Sequence, residues 1–228
     1  MTYDLYIGDR TFSSWSLRGW LMLEAFDLPY RAHLVGLYSG TMAQDLAPLA
    51  PARLVPVLRL PDGTALGETI AMAETLAERH PKAGLWPADA AARAAARWLC
   101  AEMASGFAAL RGECPMQLSH VWEGFEASDA VAADLRRLGD LFAHARGLAG
   151  DGPWLFGAYT LADVFYAPVA ARIVGYDLPV TNAVRAYALQ AVAHPAVKAW
   201  QAEGLKVTYD PFPYPQDLPQ KPWPGDQR

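Results

Sequence analysis

The sequence changes in character at Pro81, and this change limits the folds that the chain can adopt. Before Pro81, stretches of alternating apolar residues are separated by stretches with apolar residues at helical spacing. After Pro81, no convincing strand pattern is found. The chain is therefore predicted to fold as a small mixed sheet flanked by helices, followed by an all-helical domain.

Residues 1–80 predict the element order βαβαββα. The predicted strands cover 2–8, 54–60 and 64–67, with a further strand inside 27–37, and the predicted helices cover 14–27, 41–47 and 68–80. Asp62 and Gly63 are typical of a tight turn between two strands. Pro81 stops the last helix of this domain because proline cannot continue a helix.

A linker at 81–88 contains glycine and proline and precedes the helical domain at 89–205. Within that domain, the predicted helices cover 89–113, 128–150, 160–174, 182–193 and 194–203. The tail at 206–228 is rich in proline, and we expect it to run extended along the surface.

The composition excludes several classes of function. The 228 residues are 53% hydrophobic, so the chain can bury a core, and its net charge of −5 argues against a nucleic-acid partner. The N-terminus is typical of a strand rather than a signal peptide, and no segment approaches the roughly 18 apolar residues of a membrane helix. Cys100 and Cys114 suit a reducing cytoplasm, and no metal motif is found. We therefore expect a cytoplasmic protein with no membrane, nucleic-acid or metal partner.

Three serines, Ser13, Ser14 and Ser16, crowd the point where the first strand gives way to the first helix. Serine is favoured at the start of a helix, because its oxygen accepts a hydrogen bond from a free N–H. A hydroxyl at the positive end of a helix can also stabilise an anion. The local sequence alone favours caps over an active site.

Four stretches, taken in order, resemble the soluble glutathione transferase family. They are SSWSLR at 13–18, LVPVL at 54–58, GETIAMAETL at 67–76 and TLADVFYAP at 160–168. The resemblance covers about residues 2–205 and implies a thioredoxin-like N-terminal domain with an all-α C-terminal domain. It also identifies Thr160 and Asp163 as a buried capping box, in which the Asp163 side chain reaches back to the Thr160 backbone.

SSWSLR is similar to the SSCxxR signature of the zeta class, which includes maleylacetoacetate isomerases, and to bacterial serine-type transferases. Trp15 replaces the cysteine of that signature, and Trp20 replaces a zeta-type arginine. Glutathione transfer requires a thiolate, and a free thiol with a pKa of about 8.5 is mostly protonated at neutral pH. The resemblance implies that the Ser13 hydroxyl stabilises this thiolate, with Ser14 as the alternative catalytic donor.

The resemblance also implies a glutathione-binding site. Its predicted residues are Arg53, Leu54, Val55, Pro56, Glu68 and Thr69. The Val55–Pro56 bond would be cis, which leaves the Val55 backbone groups free to pair with the cysteinyl backbone of glutathione. Thr69 would hold the γ-glutamyl carboxylate at a helix N-terminus, and Glu68 would receive the γ-glutamyl ammonium. Arg53 would approach the glycyl end, or it is an ordinary exposed loop residue.

These features predict a glutathione transferase that conjugates its co-substrate glutathione to a small electrophile, and the family implies a homodimer. One alternative is a glutathione-dependent cis–trans isomerase of the maleylacetoacetate type, against which Trp15 counts. An alternative of another class is a non-catalytic glutathione-binding or structural protein with this fold. A disulfide reductase is a weaker option, because it would need a cysteine near Ser13.

Overall fold

A computed structural model of the chain describes residues 2–37, 39–207, 214 and 216–224. The first part contains strands β1 (Tyr3–Ile7), β2 (Tyr30–Leu34), β3 (Val57–Arg59) and β4 (Ala65–Leu66), with helices α1 (Ser14–Glu24), α2 (Met42–Leu46) and α3 (Thr69–Arg79). The predicted order βαβαββα is confirmed. The predicted strand at 54–60 shortens to β3, because Pro56 has no N–H to offer a neighbouring strand.

The four strands form one sheet in the order β2-β1-β3-β4. β1 pairs in parallel with β2, from Tyr3 opposite Tyr30 to Ile7 opposite Leu34, and antiparallel with β3. Tyr3, Leu5 and Ile7 are buried while the residues between them are partly exposed, as the two-residue period of a strand requires. This arrangement places the carboxyl end of β1 beside the start of α1.

The second part is helical. It contains α4 (Ala90–Ser105), α5 (Ala108–Glu113), α6 (Asp129–Gly147), α7 (Leu161–Gly175), α8 (Asn182–Val192) and α9 (Pro195–Gly204). One apolar core continues from Leu5 of the sheet through Leu21 of α1 to Phe165 of α7 and Trp200 of α9. α1 therefore lies between the sheet and the helical part and contacts both.

The predicted helix at 89–113 is interrupted between α4 and α5. A Cβ on Gly106 would lie 2.8 Å from the carbonyl oxygen of Glu102, so only glycine fits there. Phe107 has a φ of 57°, in the left-handed region, and its side chain is 5% exposed. Non-glycine residues rarely adopt this backbone conformation, and burial of the aromatic ring stabilises it here. The chain therefore changes direction at Phe107.

The helical part also holds a short sheet that the sequence did not predict. β5 (His120–Trp122) pairs antiparallel with β6 (Gln220–Pro222), which belongs to the proline-rich tail. Trp223 follows β6 and is 3% exposed, so the tail is anchored at this point rather than only extended on the surface. The prediction of an extended tail also covers residues 208–213, 215 and 225–228, which lie outside the residues that the structure describes.

Asp163 organises the start of α7. Its Oδ2 accepts hydrogen bonds from the Thr160 N–H at 2.9 Å and the Thr160 hydroxyl at 3.3 Å. Its Oδ1 accepts from the Leu155 N–H and the Tyr187 hydroxyl, both at 3.1 Å. The predicted reach of Asp163 back to the Thr160 backbone is confirmed, and the same carboxyl also joins α7 to α8.

The stability that Asp163 confers is expected to fall as the pH rises. Burial raises the pKa of Asp163 from 3.8 to about 6. The native state therefore holds a proton that the unfolded chain has lost between about pH 4 and pH 6, and stability declines across that window. Urea unfolding of wild type and of Asp163→Asn measures this effect. The free energy of unfolding of wild type minus that of Asp163→Asn should become smaller as the pH rises from about 4 to about 6. A difference that grows instead would mean that the four donors outweigh the cost of burial.

In the part of the chain that the structure describes, no helix combines the length and apolar character needed to cross a membrane. No cluster of three potential metal ligands occurs among the same residues. Cys100 and Cys114 are both buried as free thiols, and burial raises the pKa of each.

Candidate functional site

The serine cluster lies where β1 ends and α1 begins. Ser13 takes the N-cap position with an extended backbone, but its side chain makes no capping hydrogen bond. The Ser13 hydroxyl instead donates to Ser16 Oγ at 2.8 Å, and Ser16 Oγ accepts the Gly8 N–H at 2.9 Å. The Ser13 hydroxyl therefore does not act as an ordinary helix cap. It is part of a short chain of hydrogen bonds that runs from Gly8 through Ser16 to Ser13.

The three serines differ in exposure and contacts. Ser16 is fully buried and Ser13 is 7% exposed, whereas Ser14 is partly exposed and its hydroxyl has no hydrogen bond to another described residue. The sequence interpretation gave Ser16 no role beyond the first turn of the helix. Its spacing of three residues from Ser13 places both on one helix face, and that spacing could have predicted their contact.

The loop before β3 reaches the same place. The Val55–Pro56 peptide bond is cis. A Cβ on Gly8 would lie 3.2 Å from Val55 Cγ2 and 3.3 Å from Ser13 Oγ, so all three residues meet where Gly8 lacks a side chain. A side chain at Gly8 would crowd the side chains of Leu37, Val55 and Ser13, which would have to shift to admit it. The structure thus brings Ser13 and Val55 together at the end of β1.

The backbone of Val55 is available for a further partner. Neither its N–H nor its carbonyl is hydrogen-bonded to any residue that the structure describes. Pro56 packs against α1, since a Cβ on Gly19 would lie 2.9 Å from the Pro56 ring carbons. This packing fixes the loop against the helix that carries the serines. A peptide ligand could therefore pair with Val55 as a short strand would.

The start of α3 is the third element. Thr69 is its first residue and is 3% exposed, while Glu68 is exposed at the N-cap position, and neither side chain caps the helix. No acidic residue occupies the N-cap or the first turn of α1, so this helix keeps its positive end for an anion, whereas the N-terminus of α3 already carries Glu68 at its N-cap. A Cβ on Gly67 would lie 3.6 Å from Ala52, which joins this segment to the cis-proline loop.

Two predicted residues of the cis-proline loop face solvent. Arg53 is exposed and has no ion pair with a described residue, so it is free to move towards a ligand. Leu54 is 66% exposed, so its side chain contributes little to packing in this structure. A cleft of about 1150 Å³ lies between α6 and α8, but no predicted site residue lines it. This cleft is therefore separate from the predicted site residues.

Sequence comparisons identify relatives of known class. A family model described as the N-terminal domain of glutathione S-transferase matches residues 12–79. The maleylacetoacetate isomerase of Pseudomonas aeruginosa is 31% identical over 200 residues, which are 85% of this chain and 93% of that protein. A probable maleylacetoacetate isomerase of Caenorhabditis elegans is 35% identical over 114 residues, covering 50% of this chain and 52% of that protein.

Solved structures of glutathione transferases have the same fold as this chain. A glutathione transferase homologue from Burkholderia, solved with bound glutathione, is 28% identical and aligns with a TM-score of 0.66 over 90% of this chain and 98% of that chain. A sphingomonad glutathione S-transferase complexed with glutathione has the same fold, with 22% identity, a TM-score of 0.65 and coverage of 90% and 100%. Because it spans nearly all of a relative that is 31% identical, this protein belongs to the zeta-like branch of the glutathione transferase family.

Proposed function

We propose that this protein is a glutathione transferase in which Ser13 stabilises the glutathione thiolate. The observation that carries the proposal is the Ser13 hydroxyl, which lies at the start of α1 without capping it and adjoins the cis-proline loop. In this proposal, residues 1–80 bind glutathione and residues 89–205 hold the electrophile. The thiolate forms a bond to the electrophilic carbon, and the leaving group departs with its bonding electrons.

Stabilising the glutathione thiolate requires only a modest free energy. One pKa unit corresponds to about 1.4 kcal/mol, so lowering the thiol pKa by two units requires about 3 kcal/mol. A hydrogen bond to a charged acceptor contributes about 1.5–3 kcal/mol, and a helix N-terminus adds about 0.3–1 kcal/mol. Ser13 would turn its proton from Ser16 to the sulfur, while Ser16 donates to Ser13 Oγ and keeps the Gly8 N–H. This chain of hydrogen bonds would hold the Ser13 oxygen in place.

The peptide part of glutathione would be held by the other two elements. The unpaired backbone groups of Val55 would pair with the cysteinyl residue. Thr69 and the free N–H groups of α3 would bind the γ-glutamyl carboxylate, and Glu68 would bind its ammonium. Arg53 would neutralise the glycyl carboxylate, and Leu54 and Pro56 would fix the backbone between them. Ser14 remains the alternative thiolate donor.

Mutation of Thr69 tests this binding arrangement. Thr69→Val should raise the KM for glutathione about tenfold while leaving kcat within about twofold, because the lost hydrogen bond to a charged group contributes to ground state and transition state alike. Thr69→Ser keeps the hydroxyl and should restore the wild-type KM. Initial rates over a range of glutathione concentrations measure both constants. A wild-type KM in Thr69→Val would remove Thr69 from the site.

The isomerase alternative is favoured by the 31% identity to the maleylacetoacetate isomerase of Pseudomonas aeruginosa. Trp15 in place of the cysteine counts against it. Mass spectrometry detects the covalent glutathione adduct that a transferase yields, and proton NMR of the products detects a change of double-bond geometry, so the two measurements together separate the functions. An isomerase instead returns glutathione unchanged and converts a cis double bond to trans. An adduct from chlorodinitrobenzene with wild-type protein supports the transferase, and a purely isomerised product from maleylacetoacetate contradicts it.

We also propose that the protein works as a cytoplasmic homodimer, where a reducing pool keeps glutathione as a thiol. Its two free, buried cysteines agree with a reducing compartment. Light scattering after size-exclusion chromatography gives the mass directly. A monomer at micromolar concentration would contradict the assembly while leaving the chemistry of Ser13 untouched.

A further inference from the structure

The cleft between α6 and α8 has an apolar lining and lies apart from the predicted site residues. Four of the side chains that line it are buried and are aliphatic or aromatic: Leu135, Phe142, Val184 and Tyr187. The hydroxyl of Tyr187 donates to Asp163, so its aromatic ring is the part that is left for a ligand to contact. An occupant of the cleft would therefore be held mainly by the burial of apolar surface.

Gly139 keeps space free along the α6 side of the cleft. It lies in the interior of α6 and lines the cleft, and a Cβ at this position would meet no atom within 4 Å. Its φ is not positive, so its backbone conformation does not require glycine. Glycine weakens a helix interior relative to alanine. The fold pays for this residue without a local need for it, and the open space beside it is the feature that the glycine preserves.

The dimensions of the cleft fit a helix better than a small molecule. Small-molecule pockets measure about 300–1000 Å³, whereas this cleft measures about 1150 Å³ and has exposed residues such as Ala143 and Ala186 at its edge. Its lining residues on α6 run from Ala132 to Arg146, which corresponds to about 21 Å along the helix axis. An amphipathic helix of about four turns has this length and carries an apolar stripe that matches the buried lining.

The charges at the cleft favour an acidic partner. Arg136, Arg146 and Asp140 line it, so these groups give it a positive charge although the whole chain carries a net charge of −5. Arg146 donates to the carbonyls of Gly152 and Trp154. Arg136 is exposed and forms no hydrogen bond or ion pair with another described residue. Its guanidinium is therefore available to a carboxylate from outside the chain.

We propose that the cleft between α6 and α8 binds an amphipathic helix of a partner protein, with the apolar face of that helix on the buried lining and acidic residues facing Arg136. The apolar residues of the partner would occupy positions i, i+3, i+4 and i+7 of its helix. This inference is independent of the proposed transferase function, because none of the predicted glutathione-binding residues lines the cleft.

The probe for this site is a fluorescein-labelled synthetic peptide of about four helical turns. It has leucine at those four positions and their repeats, glutamate beside them and alanine elsewhere. A control peptide has the same composition, with the leucines redistributed so that no helix face is apolar. Fluorescence anisotropy should give a Kd for the amphipathic peptide at least tenfold tighter than for the control. Circular dichroism should show a gain of helix on binding, because a free peptide of this length is only marginally helical.

Variants test where the peptide binds. Gly139→Leu fills the cleft and should weaken binding tenfold or more. Gly112→Leu on α5 is the matched control, because a Cβ on Gly112 also meets no atom within 4 Å and this residue does not line the cleft. Arg136→Gln should weaken the glutamate peptide about threefold and should not weaken a peptide with lysine in place of glutamate. Lys198→Gln, which removes an exposed charge from α9, should change neither peptide.

Several results would overturn the proposal. These are equal affinity for the amphipathic and control peptides, binding without a gain of helix, and unchanged binding in Gly139→Leu. A dimer in light scattering that Gly139→Leu converts to a monomer would show that a second copy of the chain covers the cleft instead. Binding of laurate that Gly139→Leu abolishes, with no binding of either peptide, would assign the cleft to a small amphiphile and would also contradict the proposal.

Discussion

Ser13→Ala is expected to lower kcat/KM for glutathione conjugation about a hundredfold to a thousandfold, with the Kd for glutathione within about threefold of wild type. Removing one preorganised donor to a developing or resident anion has an effect of this size. Affinity survives because Val55, Thr69 and Glu68 would hold the two ends of the peptide. Steady-state rates with chlorodinitrobenzene and calorimetric titration with glutathione measure the two quantities separately.

The neighbouring serines are the controls for this result. Ser14→Ala should retain most activity, because the Ser14 hydroxyl has no bond to the chain from Gly8 through Ser16. Ser16→Ala should give an intermediate loss, since it leaves the Ser13 donor but removes its support. The melting temperature of Ser13→Ala should stay near wild type, because this side chain does not cap α1. Full activity in Ser13→Ala with loss in Ser14→Ala would assign the donor to Ser14.

Asp163→Ala is expected to lower the free energy of unfolding by about 3–5 kcal/mol. The carboxyl is fully buried and accepts four hydrogen bonds, from two backbone N–H groups and two hydroxyls. Alanine leaves these donors buried without an acceptor, and it also removes half of the capping box. Urea denaturation followed by circular dichroism measures the change.

Asp140 provides the matched control for that experiment. It lies on the exposed face of α6, so Asp140→Ala should change the unfolding free energy by no more than about 0.5 kcal/mol. Tyr187→Phe removes one donor and leaves the carboxyl with three, so it should cost about 1 kcal/mol. A loss below about 1 kcal/mol in Asp163→Ala would show that water replaces the carboxyl and that the network is not cooperative.

The order of elements was predictable from the sequence because it depends on local periodicity and turn chemistry. Alternating residues defined β1, and Asp62-Gly63 placed the turn between β3 and β4. The interruption at Phe107 was not predictable, because an alanine-rich pattern continues through it and only burial of the ring stabilises the left-handed backbone. The pairing of β5 with β6 also escaped prediction, since each is three residues long and a contact across about 100 residues leaves no local pattern.

The residues of the candidate site were likewise predictable only in part. The resemblance to the family indicated Ser13, the cis-proline loop and Thr69, because these residues occupy short motifs in a fixed order. It gave no role to Ser16 or Arg111, whose contacts arise from the fold. Ser16 meets Ser13 only once the first helical turn forms, and Arg111 reaches Trp15 only when α5 packs beside α1. The three-residue spacing of Ser13 and Ser16 could have predicted their contact, whereas the contact of Arg111 with Trp15 depends on tertiary packing, which periodicity does not encode.

The most direct test of the central claim is a pH titration of the ultraviolet thiolate absorbance of bound glutathione, in wild type, Ser13→Ala and Ser14→Ala. We expect wild type to lower the thiol pKa by about two units from its usual value of about 8.5, and Ser13→Ala to return it close to that value. Ser14→Ala should resemble wild type. If wild-type protein leaves bound glutathione as a thiol at neutral pH, or if Ser13→Ala and Ser14→Ala both keep the lowered pKa, the serine cluster does not activate glutathione.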